Sequence, residues 1–269
     1  MKTVRIAAVT MLALAPLGMA TTAHAAGESA VSVLHAVPGA TVDVYANGKA
    51  LLTDFKPGTL TDPVMLAEGS YDLKVVAAGD GADGKAIVEA KDVAVPADAN
   101  ITVVAHLTAD GAPALTPYVN DTSSVPAGQA RLTVRHDAAA PAVDVRANGE
   151  VALKGLTNPK EAKAVVPAGT ISADVVLAGT DTVAIGPADV NLKEGTNTIV
   201  YAWGSAADKN LMLATQVVGG MSSAPGGVNA GGSGQAAAAS NEAGRYLAIA
   251  GAAALAGGVV LVSRRKATR

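Results

Sequence analysis

The sequence predicts an all-β protein with two tandem β-sandwich domains and a transmembrane helix at its C-terminal end. A stretch of strand and turn occurs twice, as ATVDVYANGKALL at residues 40–52 and PAVDVRANGEVAL at residues 141–153. Short runs of alternating apolar and polar residues recur between turns rich in Gly, Asn and Asp, which is typical of β-strands. An apolar run occupies residues 246–262, close to the end of the chain.

The first element is a signal peptide, predicted at residues 1–25. Lys2 and Arg5 form a basic start, an uncharged apolar stretch follows, and Ala23-His24-Ala25 is a small-x-small cleavage site. An uncleaved N-terminal anchor is the alternative interpretation. Cleavage after Ala25 places the mature protein outside the cytoplasm.

The repeat divides the central part of the chain into two domains, residues 26–121 and 130–218, with a linker at residues 122–129. Beyond the opening match, residues 68–79 (EGSYDLKVVAAG) align with residues 168–179 (AGTISADVVLAG). Residues 100–106 (NITVVAH) align with residues 197–203 (NTIVYAW). Since two copies are too few for a solenoid array, we expect each copy to have its own core.

Each copy is predicted to contain six or seven short strands. In the repeated stretch Val42 and Val44 are expected to point inward, and Asp43 and Tyr45 outward. Asn-Gly follows in both copies, at Gly48 and at Gly149, and is a strong hairpin signal because both residues tolerate positive φ. Short strands at regular spacing indicate a sandwich of immunoglobulin-like type.

After the second domain, residues 219–244 form a Gly-, Ala- and Ser-rich stretch predicted to be a flexible spacer. The predicted transmembrane helix covers residues 245–263, and its apolar run of about 17 residues spans roughly 25 Å, near the lower limit for a bilayer. Residues 264–269 form a basic tail that is expected to stay cytoplasmic. A buried Ala-rich helix of a soluble domain is the alternative.

This layout resembles that of wall-sorted surface proteins of Gram-positive bacteria. The Leu-Pro-x-Thr-Gly sorting motif is absent, so a retained single-pass anchor is preferred.

The motif His-Ala-x-Pro followed by Val-Asp-Val-Tyr-x-x-Gly resembles the bacterial DUF4397 family, a domain of unknown function found in exported proteins. In the first copy the matching positions include His35, Pro38, Asp43, Tyr45 and Gly48. The second copy is degenerate: it keeps His136, Asp144 and Gly149, its proline has moved to Pro141, and Arg146 replaces the tyrosine. The resemblance implies two tandem copies of a β-sandwich and implies no activity.

The repeated histidines, His35 and His136, are the residues most suggestive of chemistry. Each ends a strand face that points to the core, where a hydrogen bond to the following turn would fix the imidazole. The alternative is a metal ligand or an acid-base group, together with Asp43 or Asp144, although one His and one Asp are fewer than a usual ligand set. Another acidic pair lies in GDGADGK, whose spacing favours a tight turn over a calcium loop.

Composition excludes several function classes. The chain has no cysteine, which excludes thiol chemistry. Between the two ends lie 13 basic and 23 acidic residues, a balance that argues against nucleic-acid binding. No Gly-x-Ser-x-Gly turn and no phosphate-binding Gly-rich loop occurs in the sequence. Aromatic residues are too few for a repeated sugar-binding platform.

These observations predict a non-enzymatic cell-envelope protein without a cofactor, anchored by its C-terminal helix, with both sandwiches extracellular. Its predicted role is adhesion or envelope organisation through an extracellular protein or envelope partner. The first alternative is an extracellular binding protein for a cation or small envelope ligand, and the second is a hydrolase-like enzyme.

Overall fold

A computed structural model describes residues 27–223 and contains sixteen β-strands and no helix within that range. The first eight strands are β1 Glu28–Ala36, β2 Val42–Ala46, β3 Lys49–Phe55, β4 Val64–Ala67, β5 Gly69–Ala77, β6 Ala86–Val95, β7 Asn100–Leu107 and β8 Pro113–Val119. The other eight are β9 Gln129–Ala139, β10 Val143–Ala147, β11 Glu150–Leu156, β12 Glu161–Pro167, β13 Gly169–Leu177, β14 Val183–Leu192, β15 Asn197–Ser205 and β16 Met212–Val218.

The strands form four four-stranded sheets, paired into two sandwich-like units. The first sandwich has the orders β4-β1-β7-β8 and β3-β2-β5-β6, and the second repeats them as β12-β9-β15-β16 and β11-β10-β13-β14. In each, the first and seventh strands of the unit pair in parallel and the other pairs are antiparallel. The all-β prediction is confirmed for these residues.

Each sandwich has eight strands, so the expected six or seven was too low. Strand β4 is four residues long, and β8 contains Pro113 and Pro117, two features that weaken a strand pattern. Both strands lie at the edge of their sheet, where a proline is tolerated because no neighbour needs its N–H.

The Asn-Gly turns connect β2 to β3 and β10 to β11, as the sequence predicts. Asn47 and Gly48 have φ values of 50° and 73°, and Asn148 and Gly149 have 51° and 84°. Asparagine and glycine are the residues that adopt this left-handed region at least cost, so the sequence of the turn follows from its geometry.

Strand β2 follows its predicted alternation only in part. Val42 and Val44 pack in the core of the first sandwich, as expected. Asp43 and Tyr45, expected to face outward, are 5% and 8% exposed and are therefore buried. The expectation of solvent exposure was wrong because strand alternation determines the face on which a side chain lies but not what covers that face.

Each sandwich has an apolar interior of its own, and a further apolar cluster lies between the two. The first interior includes Val31 and Val103, and the second includes Leu132 and Val200. The cluster between the sandwiches combines residues of both: Leu34, Ala36, Val104, Tyr118, Ile199, Tyr201, Trp203 and Val218. The expectation that each copy has its own core is therefore met, but the copies also share one.

The shared cluster arises because β1 and β7, and likewise β9 and β15, are buried on both faces. On β1, Val33 lines the interior of its own sandwich, whereas Leu34 packs in the shared cluster. The connection between the sandwiches is also held in place: Val125 is 1% exposed, and its backbone exchanges hydrogen bonds with Met221 and Ser223.

The predicted signal peptide, most of the spacer, the transmembrane helix and the basic tail lie outside residues 27–223. Within that range the structure contains no helix of the length and hydrophobicity needed to cross a bilayer.

Candidate functional site

The two repeated histidines have the same hydrogen bonds in both sandwiches. The Nε2–H of His35 donates to the carbonyl of Ala40 at 2.8 Å, and that of His136 donates to the carbonyl of Pro141 at 2.9 Å. The Nδ1 of each ring lies 3.4 Å from the backbone nitrogen two residues later. The predicted bond to the next turn is thus present in both copies. Burial lowers the pKa of His35, which favours the neutral ring that this arrangement needs.

The repeated aspartates each hold two loops together. The carboxylate of Asp43 accepts the N–H of Asp54 and that of Gly79, both at 2.9 Å. Asp144 accepts the N–H of Gly155 at 2.7 Å and that of Gly179 at 2.9 Å. These two backbone bonds hold the pKa of Asp144 below its usual range. Both oxygens of each carboxylate are therefore engaged by backbone of the same sandwich.

The remaining repeated positions lie in turns or at strand pairs. Pro38 is half-buried and Pro141 is exposed, both in the loop between the first two strands of their unit. Tyr45 lies opposite Lys74, whereas its counterpart Arg146 lies opposite Asp174 and forms an ion pair with it at 2.6 Å. The repeated residues therefore do not converge on one open site, and the second copy has replaced a Tyr–Lys neighbour pair by an ion pair.

The largest concentration of buried polar side chains lies between the sandwiches. We call it the interdomain cluster: Tyr118, Asn120, Arg135, Asp137, Tyr201 and Gln216. Within it the guanidinium of Arg135 is fully buried and donates to the hydroxyl of Tyr201 and to the side-chain oxygen of Asn120, each at 2.8 Å. The guanidinium also lies 4.1 Å from the centre of the Tyr118 ring, a cation–π distance. One side chain of the second sandwich therefore bonds to the end of the first.

Other bonds of the interdomain cluster also connect the two sandwiches. Gln216 accepts a bond of 2.9 Å from the hydroxyl of Thr102, a residue 114 positions earlier, and a bond of 2.5 Å from Tyr201. The hydroxyl of Tyr118 donates to Asp137 at 2.7 Å. Together with the apolar cluster, these bonds join the sandwiches into one body.

Asp137 has a buried carboxylate that is only partly hydrogen-bonded. Its side chain is 0% exposed, and one carboxylate oxygen, Oδ2, has no hydrogen-bond partner. Burial raises the pKa of Asp137, although His106, Tyr118 and Arg135 oppose that rise. Burial and the adjacent Asp137 also raise the pKa of Tyr118 above its usual range. A raised pKa favours the protonated acid, which needs no counter-charge.

Comparison with known families identifies one domain in the chain. A DUF4397 domain is found at residues 29–146. The family is described as a domain of unknown function, so the match carries no activity. The matched range covers the first sandwich and continues through β9 into β10 of the second. No curated protein matches the chain.

The DUF4397 motif residues could be found from sequence, but the interdomain cluster was missed. His35 and Asp43 repeat in the second copy, which made them visible. Arg135 and Asp137 take the places of Leu34 and Ala36 in the repeat, so a search for repeated polar residues passes over them. The available signal was the stretch RLTVRHD, in which Arg131, Arg135 and Asp137 fall on one face of a predicted strand at the start of the second copy.

Among the openings of ligand size that lie outside the DUF4397 motif are a groove and a pocket. A groove between the sandwiches, of about 390 Å³, is lined by both polar and apolar groups, including Asp62 and Gln216. A pocket of about 340 Å³ lies at one end of the second sandwich and is lined mainly by aliphatic side chains, among them Leu153 and Ile171. Both volumes fall at the lower end of the range for small-molecule sites.

The described part of the chain contains neither a cluster of metal ligands nor an exposed aromatic side chain for a sugar. Residues 27–223 contain no group of three or more His, Cys, Asp or Glu side chains placed to hold a metal ion. Asp80 and Asp83 lie in the turn between β5 and β6, which a backbone bond from Gly84 to Gly81 closes. The aromatic side chains in this range are buried or half-buried: Tyr45, Phe55, Tyr71, Tyr118, Tyr201 and Trp203.

Proposed function

We propose that the protein is a non-enzymatic cell-envelope protein that displays two β-sandwiches as one rigid body for adhesion or envelope organisation. The observation that carries this proposal is the buried interdomain cluster, in which Arg135 bonds to Asn120 and Tyr201. Two domains joined by a flexible linker have no need of such a contact, whereas a spacer or display module needs fixed geometry.

The bonding of the motif residues also supports a structural role. His35, Asp43 and their counterparts His136 and Asp144 form hydrogen bonds with nearby backbone, which fixes turns. The polar atoms of these side chains are thus engaged in holding turns of their own sandwich.

The proposal includes three finer assignments. The second sandwich is a diverged copy of the DUF4397 domain, supported by the same strand order and the same histidine and aspartate bonds. Each sandwich is of immunoglobulin-like type, supported by two packed sheets of short strands. Export and single-pass anchoring rest on the sequence of residues 1–25 and 245–269.

Surface display can be tested by protease treatment of intact cells. One epitope is inserted in the exposed β5–β6 turn beside Gly81, and a second follows Arg269. We expect the protease to remove the first epitope and to spare the second until the cells are lysed. An intact first epitope on whole cells, or its recovery in the cytosolic fraction, would overturn the proposed location.

The role of the rigid body can be tested by comparing a deletion strain with strains that produce equal surface amounts of the wild-type protein and of two variants. A deletion strain should lose cell aggregation or resistance to envelope stress, and Arg135→Met should lose a large part of it. The matched control is Arg146→Met, which removes an ion-paired arginine of the second sandwich outside the interdomain cluster. Full function in the Arg135→Met strain would show that rigid coupling is not needed.

A second candidate function, a binding protein for a small envelope ligand, is favoured by the pocket in the second sandwich.

A further inference from the structure

The pocket of the second sandwich lies where its two sheets part. Strands β11 and β12 are edge strands of opposite sheets, and Leu153 of the first and Val166 of the second line the pocket. The β10–β11 turn with Asn148, and the β12–β13 connection, form its rim. The pocket therefore leads from solvent towards the sandwich interior.

The lining of this pocket is aliphatic and carries no charge. Its larger side chains are Leu132, Leu153, Val166 and Ile171, and alanines supply much of the remaining wall. Polar side chains are limited to Asn148 and Thr170. Burying an ion or a sugar here would leave its polar groups without partners, which costs free energy, whereas burying methylenes is favourable.

The first sandwich provides an internal comparison, because the corresponding residues there fill the space. Tyr71 occupies the position of Ile171, and its hydroxyl donates to the carbonyl of Ala67 at 2.9 Å. Leu51 occupies the position of Ala152. Both line an internal cavity of the first sandwich of only about 30 Å³, whose other lining residues are mainly aliphatic.

In the second sandwich the residues at four of these positions, Leu132, Ala152, Val166 and Ile171, line the end pocket of about 340 Å³. Leu66 has become Val166 there, in addition to the losses at the Tyr71 and Leu51 positions. The opposite change, from Val31 to Leu132, adds one methylene and does not compensate for the lost aromatic ring. The two copies thus differ by a loss of side-chain volume concentrated around one opening.

We propose that this pocket of the second sandwich binds a linear alkyl or acyl chain of about ten to eleven carbons, on the estimate that a methylene fills roughly the 30 Å³ of one water. The aliphatic wall selects an unbranched apolar chain, and Asn148 and Thr170 at the rim leave the polar head group in water. Such a chain occurs in free fatty acids and in membrane lipids. Because the pocket lies within the second sandwich alone, binding there does not depend on rigid display.

The test uses the full-length protein in its own membrane. A photoreactive decanoic acid, with a diazirine on the chain and an alkyne for detection, is cross-linked and the labelled residues are mapped by mass spectrometry. We expect label within residues 147–171, competed by excess unlabelled decanoate. No label in that range above the level of the surface of the first sandwich would overturn the proposal.

Three substitutions make the test specific. Ile171→Tyr installs the residue that the first sandwich already tolerates and should reduce labelling at least tenfold. Ala152→Leu fills the pocket from another strand and should act likewise, which covers the case in which the first variant fails to fold. The matched control is Val183→Tyr, a change of similar size at an exposed position of the same sandwich, which should leave labelling unchanged. Equal labelling of wild type, Ile171→Tyr and Ala152→Leu would refute the site.

Competitors then identify the ligand and its source. Each added methylene should improve competition about fourfold, so decanoate should act at roughly sixteenfold lower concentration than octanoate. Competition by decanoate alone indicates a free acid, and competition by phosphatidylcholine vesicles as well indicates lipid chains. A potency that does not change with chain length contradicts alkyl recognition. Since these readouts concern one pocket, their failure leaves the display function untouched.

Discussion

Removing the guanidinium of Arg135 is the most informative perturbation of this protein. Its side chain is 0% exposed and donates at 2.9 Å to Glu161, in addition to its bonds with Tyr201 and Asn120. Arg135→Met keeps much of the apolar stem and removes every charged bond. The substitution therefore isolates the polar part of the contact between the sandwiches.

The expected loss in free energy of unfolding depends on how well the former partners of Arg135 are hydrogen-bonded in the variant. Glu161 keeps Lys163 at 2.9 Å, and Tyr201 keeps Gln216, but the oxygen of Asn120 loses the guanidinium within a buried site. Breaking a buried ion pair by removing one partner costs about 3–5 kcal/mol. Because Glu161 is partly exposed and keeps a second partner, we expect the lower part of that range, about 3–4 kcal/mol. For a body of this size that loss lowers the unfolding midpoint by about 6–16 °C.

Calorimetry of the full-length protein measures this effect. We expect one transition for the wild type and, for Arg135→Met, an earlier and broader transition as the sandwiches uncouple. Arg146→Met is the control, since its ion pair with Asp174 lies outside the interdomain cluster and is more exposed. If both variants shift the midpoint equally, or if the wild type already unfolds in two steps, the interdomain cluster does not couple the sandwiches.

Three further predictions concern other parts of the structure. Asp43→Ala removes the acceptor of two backbone N–H groups and should cost about 2–3 kcal/mol in chemical unfolding; an unchanged midpoint contradicts the loop-holding role. Gly58→Ala and Gly48→Ala both place a side chain at positive φ, but only at Gly58 would the new Cβ lie 3.2 Å from the Trp203 ring, so Gly58→Ala should lower the melting temperature more. The raised pKa of Asp137 stabilises the fold below the unfolded-state value of about 3.9, and this contribution is lost as pH rises through the folded-state pKa. The melting temperature of Asp137→Asn relative to wild type should therefore increase from pH 4 upward and then level off, and a constant difference would contradict a titrating Asp137.

Local features of the fold could be predicted from the sequence because they involve neighbouring residues. The Asn47-Gly48 turn needs only two residues with positive φ. The histidine bond joins His35 to Ala40, five positions apart, and a strand that ends at a turn makes such a bond natural. The alternation that places Val42 and Val44 inward is a property of the strand itself.

Features that depend on distant segments could not be predicted. Thr102 and Gln216 meet only because two sheets pack face to face, and no local pattern encodes that packing. Tyr45 is buried by groups that alternation does not specify. The pocket of the second sandwich required knowledge of which residues surround Ile171, although the change from Tyr71 to Ile171 was visible in the alignment of the copies.

The packing of β1 and β7 against β9 and β15 also has a consequence for self-association. The two sandwiches meet through the same sheet of each, so the contact is closed and leaves neither of these faces for a third copy. The pairing is also selective. If two second sandwiches from different chains met in this way, each Arg135 would lie opposite Val218, which takes the place of Asn120 in the repeat, and a buried charge would lose its acceptor. Divergence between the copies thus favours pairing of a first sandwich with a second sandwich over pairing of two second sandwiches.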